Sequence, residues 1–286
     1  NRFIGIDATP EEQARILEAI GCEVHAEEGY VIPPSFRDDL ICDADIAEEV
    51  ARFYGYNNIK SSLLSGCETT MGRRNRKQLL TDRVRTIMTG SGYSEALTFS
   101  FISPAVFDRL RFAADDSRRD AVKILNPLGE DFSIMRTTML PSVLEILQHN
   151  YAHRIPAASA FEISYVYIKE SPDPDLLPEH REILSMGKYG SGDFYDFKGD
   201  IEVLLQSLKI TNYEVEPLMD HPSLHPGRAA RLLIGGKEAG FFGQIHPEVA
   251  EEWECPEQSF VAELLFERII SAAVDLPKNK ELPKFP

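Results

Sequence analysis

The stretch DADIAEEVARFYGYNNI (43–59) places Asp43, Asp45, Glu48 and Glu49 within seven positions, then turns apolar and aromatic. Carboxylates at that density start a helix, hold a hard cation, or line a solvated face. Asp45-x-x-Glu48 has capping-box spacing, with an acid at the N-cap and a glutamate at N3. Ile46, Val50 and Phe53 recur at helical intervals, which predicts a helix over about 46–54. Acids in its first turn suit the positive end of the helix dipole. Clustered oxygen ligands also suit a divalent ion such as magnesium. On these residues alone the choice among the three stays open.

Other chemistry-bearing residues form no constellation. His149 and His153 are four apart on a predicted helix, but Asn150 follows where a zinc protease carries its glutamate base. His221 and His225 flank Pro222 with no third ligand nearby, so both pairs read as surface or second-layer histidines. TGSGY (89–93) ends a helix where a phosphate loop would open one, and GSGDFYDFKGD (190–200) lacks the lysine and hydroxyl of a P-loop. No G-x-S-x-G elbow is present. The residues therefore offer no catalytic or cofactor-binding set.

The bulk properties exclude further classes. At 286 residues, 43% hydrophobic and 27% charged, the chain matches a globular protein able to build a sizeable core. No run approaches the ~18–20 apolar residues of a membrane span, and no signal-peptide pattern opens the chain. The start at Asn1 reads as that of an excised piece. Cys22, Cys42, Cys67 and Cys255 are scattered without a C-x-x-C pair, which fits a reducing, cytoplasmic setting. A net charge of −16 argues against a chain that grips nucleic acid by itself. Its one basic run, RRNRK (73–77), reads as a solvated helical face.

These residues need elements to position them. TPEEQARILEAIGCEV (9–24) predicts a helix with Thr9 at the N-cap, Pro10 at N1 and Gly21 as the stop. YVIPPSF (30–36) is extended, and the acidic helix follows. Residues 1–62 therefore read as a small α+β, winged-helix-like domain. SSLLSGCETT (61–70) is a polar linker. A long helix is expected from about Gly72 to Gly90, with Leu80, Val84, Ile87 and Met88 as an apolar stripe offered to a partner. SEALTFSFI (94–102) alternates as a strand, VKIL (122–125) forms another before a turn at 126–129, and a helix is expected over 141–152. Strands near 157–168, 229–234, 238–243 and 260–265, with a helix over 195–208, complete an α+β domain with a mostly antiparallel sheet over 63–286.

Six stretches together resemble the β subunit of bacterial-type phenylalanyl-tRNA synthetase. They are RDDLICDADIAEEVARFYGYNNI (37–59), GYSEALTFSF (92–101), NPLGEDFSIMRTTMLPSVLE (126–145), AFEISYVY (160–167), DFYDFKGDIEVLL (193–205) and LHPGRAARLLIGGKEAGFFGQIHPEV (224–249). The resemblance runs in order over nearly the whole chain. It implies a class II aminoacyl-tRNA synthetase-like module over 63–286, degenerate and non-catalytic, preceded by the small domain. Its implied partners are the α subunit, in an (αβ)₂ heterotetramer, and tRNA. ATP and the ligation of phenylalanine would belong to the α subunit. KFP (284–286) resembles the start of the family's anticodon-binding domain, which implies a cut there.

The resemblance also bears on individual residues. Class II enzymes hold the ATP α-phosphate with an arginine from [FY]-R-x-E; YIKE (167–170) resembles that motif with Ile168 in the arginine's place. ELLFER (263–268) resembles G-x-G-x-x-R, with Glu263 and Leu265 for the glycines and Arg268 for the arginine. An aliphatic side chain cannot donate to phosphate, and a carboxylate repels it. For the acidic stretch, the resemblance implies a Mg²⁺ shared with the α subunit and held by Asp39, Asp45, Glu48 and Glu49. Two rival functions stand beside this reading. One is a nucleic-acid-binding module, which net charge counts against; the other is a free-standing synthetase-like ligase, which Ile168 counts against.

Overall fold

The structure, a computed structural model, describes residues 1–63, 72–171, 173 and 176–274. The chain divides into two compact units, Asn1–Gly72 and Arg73–Pro286. Part of the expected linker, residues 64–70, lies outside the described residues, as do Cys67 and the closing KFP.

In the first unit, α1 (Pro10–Ala19) begins as expected: Thr9 is its N-cap and accepts from the Glu12 amide. Gly21 follows with φ +88°, a backbone region open to glycine at little cost. A hairpin of β1 (Glu23–His25) and β2 (Tyr30–Ile32) leads through an irregular loop, 33–42, to α2 (Asp43–Tyr54). Ile6, Ala8, Leu17, Cys22, Leu40 and Val50 form the buried core. The acidic helix starts earlier than its spacing suggests. Cys42 is the N-cap and Asp45 stands at N3, where its Oδ2 accepts from the amides of Cys42 (2.8 Å) and Ile41 (2.9 Å). Asp45 thus plays the reach-back part that the sequence assigned to Glu48.

The second unit is α+β, with a seven-stranded mixed sheet flanked by helices. The helices are α3 (Arg76–Gly90), α4 (Val106–Arg109), α5 (Leu140–Ala152), α6 (Phe194–Ser207), α7 (Pro247–Glu252) and α8 (Phe266–Ala272). The strands are β3 (Ser94–Glu95), β6 (Ala158–Ile168), β7 (Glu179–Tyr189), β8 (Tyr213–Pro217), β9 (Leu224–Ile234), β10 (Lys237–Ile245) and β11 (Ser259–Leu265), in the order β3-β6-β7-β11-β10-β9-β8. Every pairing is antiparallel except β3 with β6. A separate pair, β4 (Phe101–Ile102) and β5 (Ile134–Met135), closes the 103–133 excursion. No helix among the described residues is long and apolar enough to cross a membrane.

Alternation along the strands sorts their side chains to two faces. Leu184 and Met186 of β7, and Phe260, Ala262 and Leu264 of β11, join Leu80, Val84 and Met88 of α3 and Phe197, Ile201 and Leu204 of α6. The α3 stripe expected to meet a partner is therefore core. Its basic neighbours are also engaged internally: Arg76 donates to the carbonyls of Ile270 and Ala273, Arg83 to that of Ser207, and Lys77 pairs with Glu182 and Glu267. On the other face, Tyr189 and Val261 pack with Leu140, Val143, Leu144 and Leu147 of α5 and with Trp253. Gly187 of β7 lets α5 come this close, since a Cβ there would lie 2.3 Å from Val143 Cγ1. Both faces of the sheet are thus covered.

Candidate functional site

The first candidate is the acidic cluster. Arg37, in the loop before α2, places Nε and Nη2 on the two carboxylate oxygens of Asp39 at 2.8 and 2.7 Å. The same Nη2 lies 2.9 Å from Glu49 Oε1, while Arg52, one turn further along α2, pairs with Glu49 Oε2. Glu49 is a buried acid with both oxygens occupied. The Arg37 guanidinium holds the Asp39 carboxyl below its usual range; Arg37 and then Arg52 do the same for Glu49. Asp45 is lowered by the amides of Cys42 and Ile41 that it caps. Glu48 is exposed. Of the four expected magnesium ligands, only Asp39 and Glu49 share a partner, and that partner is a cation. No set of three His, Cys, Asp or Glu residues among the described ones converges to hold a metal ion. As arranged in this chain, the four residues do not fit a magnesium cage.

The second candidate is the sheet face beneath α5, where Ile168, Glu263 and Leu265, three residues of the stretches likened to class II motifs in the sequence, lie. Glu263 of β11 points its Oε1 at the start of α5, accepting from Thr138 Oγ1, the Met139 amide (2.5 Å) and the Leu140 amide (2.8 Å). Those donors sit on buried residues, and a carboxyl at a helix N-terminus satisfies amides that the helix leaves free. Burial pushes the Glu263 carboxyl above the usual range, against the opposing effect of its donors. Ile168 and Leu265 pack on the buried cluster of Met139, Val166 and Ile183. Glu263 therefore serves the turn that seats α5, and Ile168 and Leu265 pack on the cluster that contains Met139 of that turn. Arg268 is exposed on α8, beside Lys77, Glu182 and Glu267 in a surface cleft.

A buried arginine completes the seat. Arg136 has no solvent exposure. It donates from Nε to the Tyr165 carbonyl (2.9 Å), from Nη1 to Thr98 Oγ1 (2.7 Å) and Ser142 Oγ (3.1 Å), and from Nη2 to Ser164 Oγ (2.6 Å). Its charge faces Glu162, 1% exposed, at 3.5 Å, and Thr98 donates to both oxygens of that acid. Sequence reasoning missed this pair, since neither residue stands in a spacing pattern. It also missed Arg37 and Arg52 as counter-ions, although Arg52 lies at the i+3 position that pairs with Glu49 on a helix.

The comparisons with known proteins agree with the order of the motifs. Residues 1–56 match a family model described as the tRNA synthetase B5 domain, and residues 59–266 match that of the phenylalanyl tRNA synthetase beta chain CLM domain. The chain belongs to the phenylalanyl-tRNA synthetase β-chain family. It is 38% identical over its full length to the phenylalanine–tRNA ligase beta subunit of Clostridium tetani and 37% to that of Clostridium acetobutylicum, covering 36% of each. It is 34% identical to the corresponding subunit of Geobacter metallireducens, covering 37% of it. The chain thus spans little more than a third of these relatives.

The histidine pairs do not add a site to this β-chain segment. His153 Nδ1 bonds the His149 carbonyl at 2.7 Å, and the two rings lie 4.3 Å apart. His221 packs between Phe112 and Phe241, beside Arg118; burial lowers its pKa to about 4. A group of exposed apolar side chains lies elsewhere. Leu97 and Phe99 are 88% and 73% exposed, Phe101 is exposed too, and Phe99 meets Phe132 edge-on at 5.8 Å. Leu125 and Leu128, also exposed, stand on the loop leading to Phe132.

Proposed function

We propose that this chain is a non-catalytic part of a phenylalanyl-tRNA synthetase β subunit that supports assembly of the ligase. In this reading its first 62 residues are a winged-helix-like domain and residues 63–286 a class II synthetase-like module. The α subunit holds ATP and phenylalanine and performs the ligation to tRNA, in a cytoplasmic (αβ)₂ enzyme.

The observation that carries this reading is the convergence of Ile168, Glu263 and Leu265 on the turn at 138–140. At the three places where the chain departs from class II motifs, Glu263 caps the start of α5 and Ile168 and Leu265 pack on the apolar cluster beside it. Phosphate anchoring is lost at Ile168, and the room that two glycines would leave is filled. The partner surface in this reading is built around exposed Leu97, Phe99, Phe101 and Phe132, of which Phe99 and Phe132 meet edge-on, since exposed apolar area of this kind marks an interaction site.

Two assays test the reading. Neither the chain nor its Ile168→Arg variant catalyses phenylalanine-dependent ATP–pyrophosphate exchange above a heat-inactivated control; measurable exchange sinks the non-catalytic assignment. On co-expression with the matching α subunit, the chain co-purifies, while Leu97→Ser with Phe99→Ser keeps its stability and loses α. Normal capture of α by that double variant removes the patch from the interface.

A further inference from the structure

We propose that Arg37 is the resident cation of the acidic cluster, and that it, not a divalent ion, ties the 33–42 loop to α2. The inference is independent of how the second unit is read. Arg37 stands in the loop and Glu49 on the second turn of α2, twelve residues apart. One guanidinium spans the gap, with its Nε and Nη2 on Asp39 and its Nη2 also on Glu49. This planar fork matches carboxylate geometry in a way that an ammonium or a hydrated ion does not. Arg52 occupies the remaining Glu49 oxygen and also lies 4.3 Å from the centre of the Phe53 ring.

Within the clamp itself the charges balance: Asp39 and Glu49 supply two negative charges, and Arg37 and Arg52 two positive ones, while Asp45 and Glu48 lie outside it. Mg²⁺ prefers an octahedral shell of oxygens and releases water reluctantly. To bind Asp39 and Glu49 it must first expel a guanidinium that already bonds both carboxylates. Asp45 is turned to a different task, with its Oδ2 accepting from the amides of Ile41 and Cys42 at the start of α2. The Arg37 and Glu49 side chains are 22% and 9% exposed, so solvent screens their pairing less than that of a surface ion pair. The loop has no helix or strand bonds of its own; Leu40 and the Asp45 cap hold its end, and the clamp anchors it at Arg37 and Asp39.

Amide hydrogen exchange, read by mass spectrometry on the 286-residue chain, tests this directly. Protection of the 33–42 peptide is the same in excess EDTA and in millimolar magnesium. Arg37→Gln lowers that protection by roughly tenfold or more under both conditions, the scale of losing charge-assisted hydrogen bonds, while the 43–54 peptide stays protected. Should Arg37→Gln fail to fold, Asp39→Asn removes the fork and leaves Glu49 paired; it loosens the same peptide, again without a response to magnesium. Wild-type protection that collapses in EDTA and returns with magnesium overturns the proposal, as does an Arg37→Gln loop that exchanges like wild type.

Discussion

Replacing Glu263 separates two jobs that a carboxyl at a helix N-terminus can do: supplying charge, or simply accepting hydrogen bonds. In Glu263→Ala, Thr138 Oγ1 and the amides of Met139 and Leu140 lose their acceptor, and all three belong to buried residues. Stranded donors cost about 1–3 kcal/mol each. Relaxation of the turn and entry of water recover part of this, which leaves a loss of about 2–4 kcal/mol. Glu263→Gln keeps one carbonyl oxygen for the same donors. Burial raises the Glu263 pKa, so the folded state keeps the proton to higher pH than the unfolded chain, which releases it near 4.5. The contribution is therefore full below that value and is lost as pH rises through the folded value, at ~1.4 kcal/mol per unit between the two. Glu263→Gln escapes this loss: it lies within ~1 kcal/mol of wild type in acid and gains on it toward neutral pH. Urea unfolding followed by the single tryptophan, Trp253, reads the outcome, because that residue is buried in the same cluster as Leu144 and Leu147 of α5. With slopes of ~1–3 kcal/mol/M, Glu263→Ala moves the midpoint down by roughly 1–2 M. If Glu263→Gln is as damaging as Glu263→Ala at every pH, the carboxyl acts through its charge and this reasoning is wrong.

Two further expectations use the same assay. Gly187→Ala drives a methyl group to 2.3 Å from Val143 Cγ1 and destabilises the second unit by about 1–3 kcal/mol, with Val143→Ala restoring part of the loss; an unchanged midpoint means α5 does not bear on β7 as described. His221, buried by Phe112 and Phe241 and facing Arg118, Asp116 and Asp220, has its pKa depressed from 6.5 to about 4. Its neutral form stabilises the fold above 6.5, and that stability drains as pH falls toward 4, by up to roughly 3 kcal/mol. The non-titrating His221→Asn has a flatter acid limb; an unchanged limb places the acid sensitivity elsewhere.

Much of the α+β architecture is legible because local signals agree with tertiary ones. Thr9, Pro10 and Gly21 fix α1 between residues well suited to begin and end a helix. The start of α2 is harder, since Cys42-x-x-Asp45 and Asp45-x-x-Glu48 share one spacing and aspartate is the better cap on propensity alone. SEALTFSFI alternates like a strand, yet only its two ends find ladder partners; Leu97 and Phe99 alternate outward on an open surface. β7 escapes notice because Glu179, His180, Arg181 and Glu182 open it with charge, and its later residues are buried on both faces without period-two alternation. At the sheet face, the isoleucine of YIKE is visible in the sequence. What fills the space is not, because Met139 and Leu140 reach it only through the fold. Arg37 is similarly hidden: its spacing to Asp39 is plain, but Glu49 becomes its partner only when the loop folds back on α2.

The position of β11 within the sheet has a consequence for the order in which the molecule can form. It comes last of the strands in sequence but is inserted between β7 and β10. The β6–β7 hairpin and the β8–β9–β10 meander can each arise from neighbouring residues, but no strand pairing joins them until residues 259–265 arrive. Contacts this distant along the chain are slow to close. On a ribosome the two halves would wait with bare inner edges, which makes that interval the time of greatest exposure to wrong pairing. Because Glu263 travels on the same strand, α5 lacks its terminal acceptor until the sheet has been zipped. Completion of the sheet and locking of the helix over it become one late event.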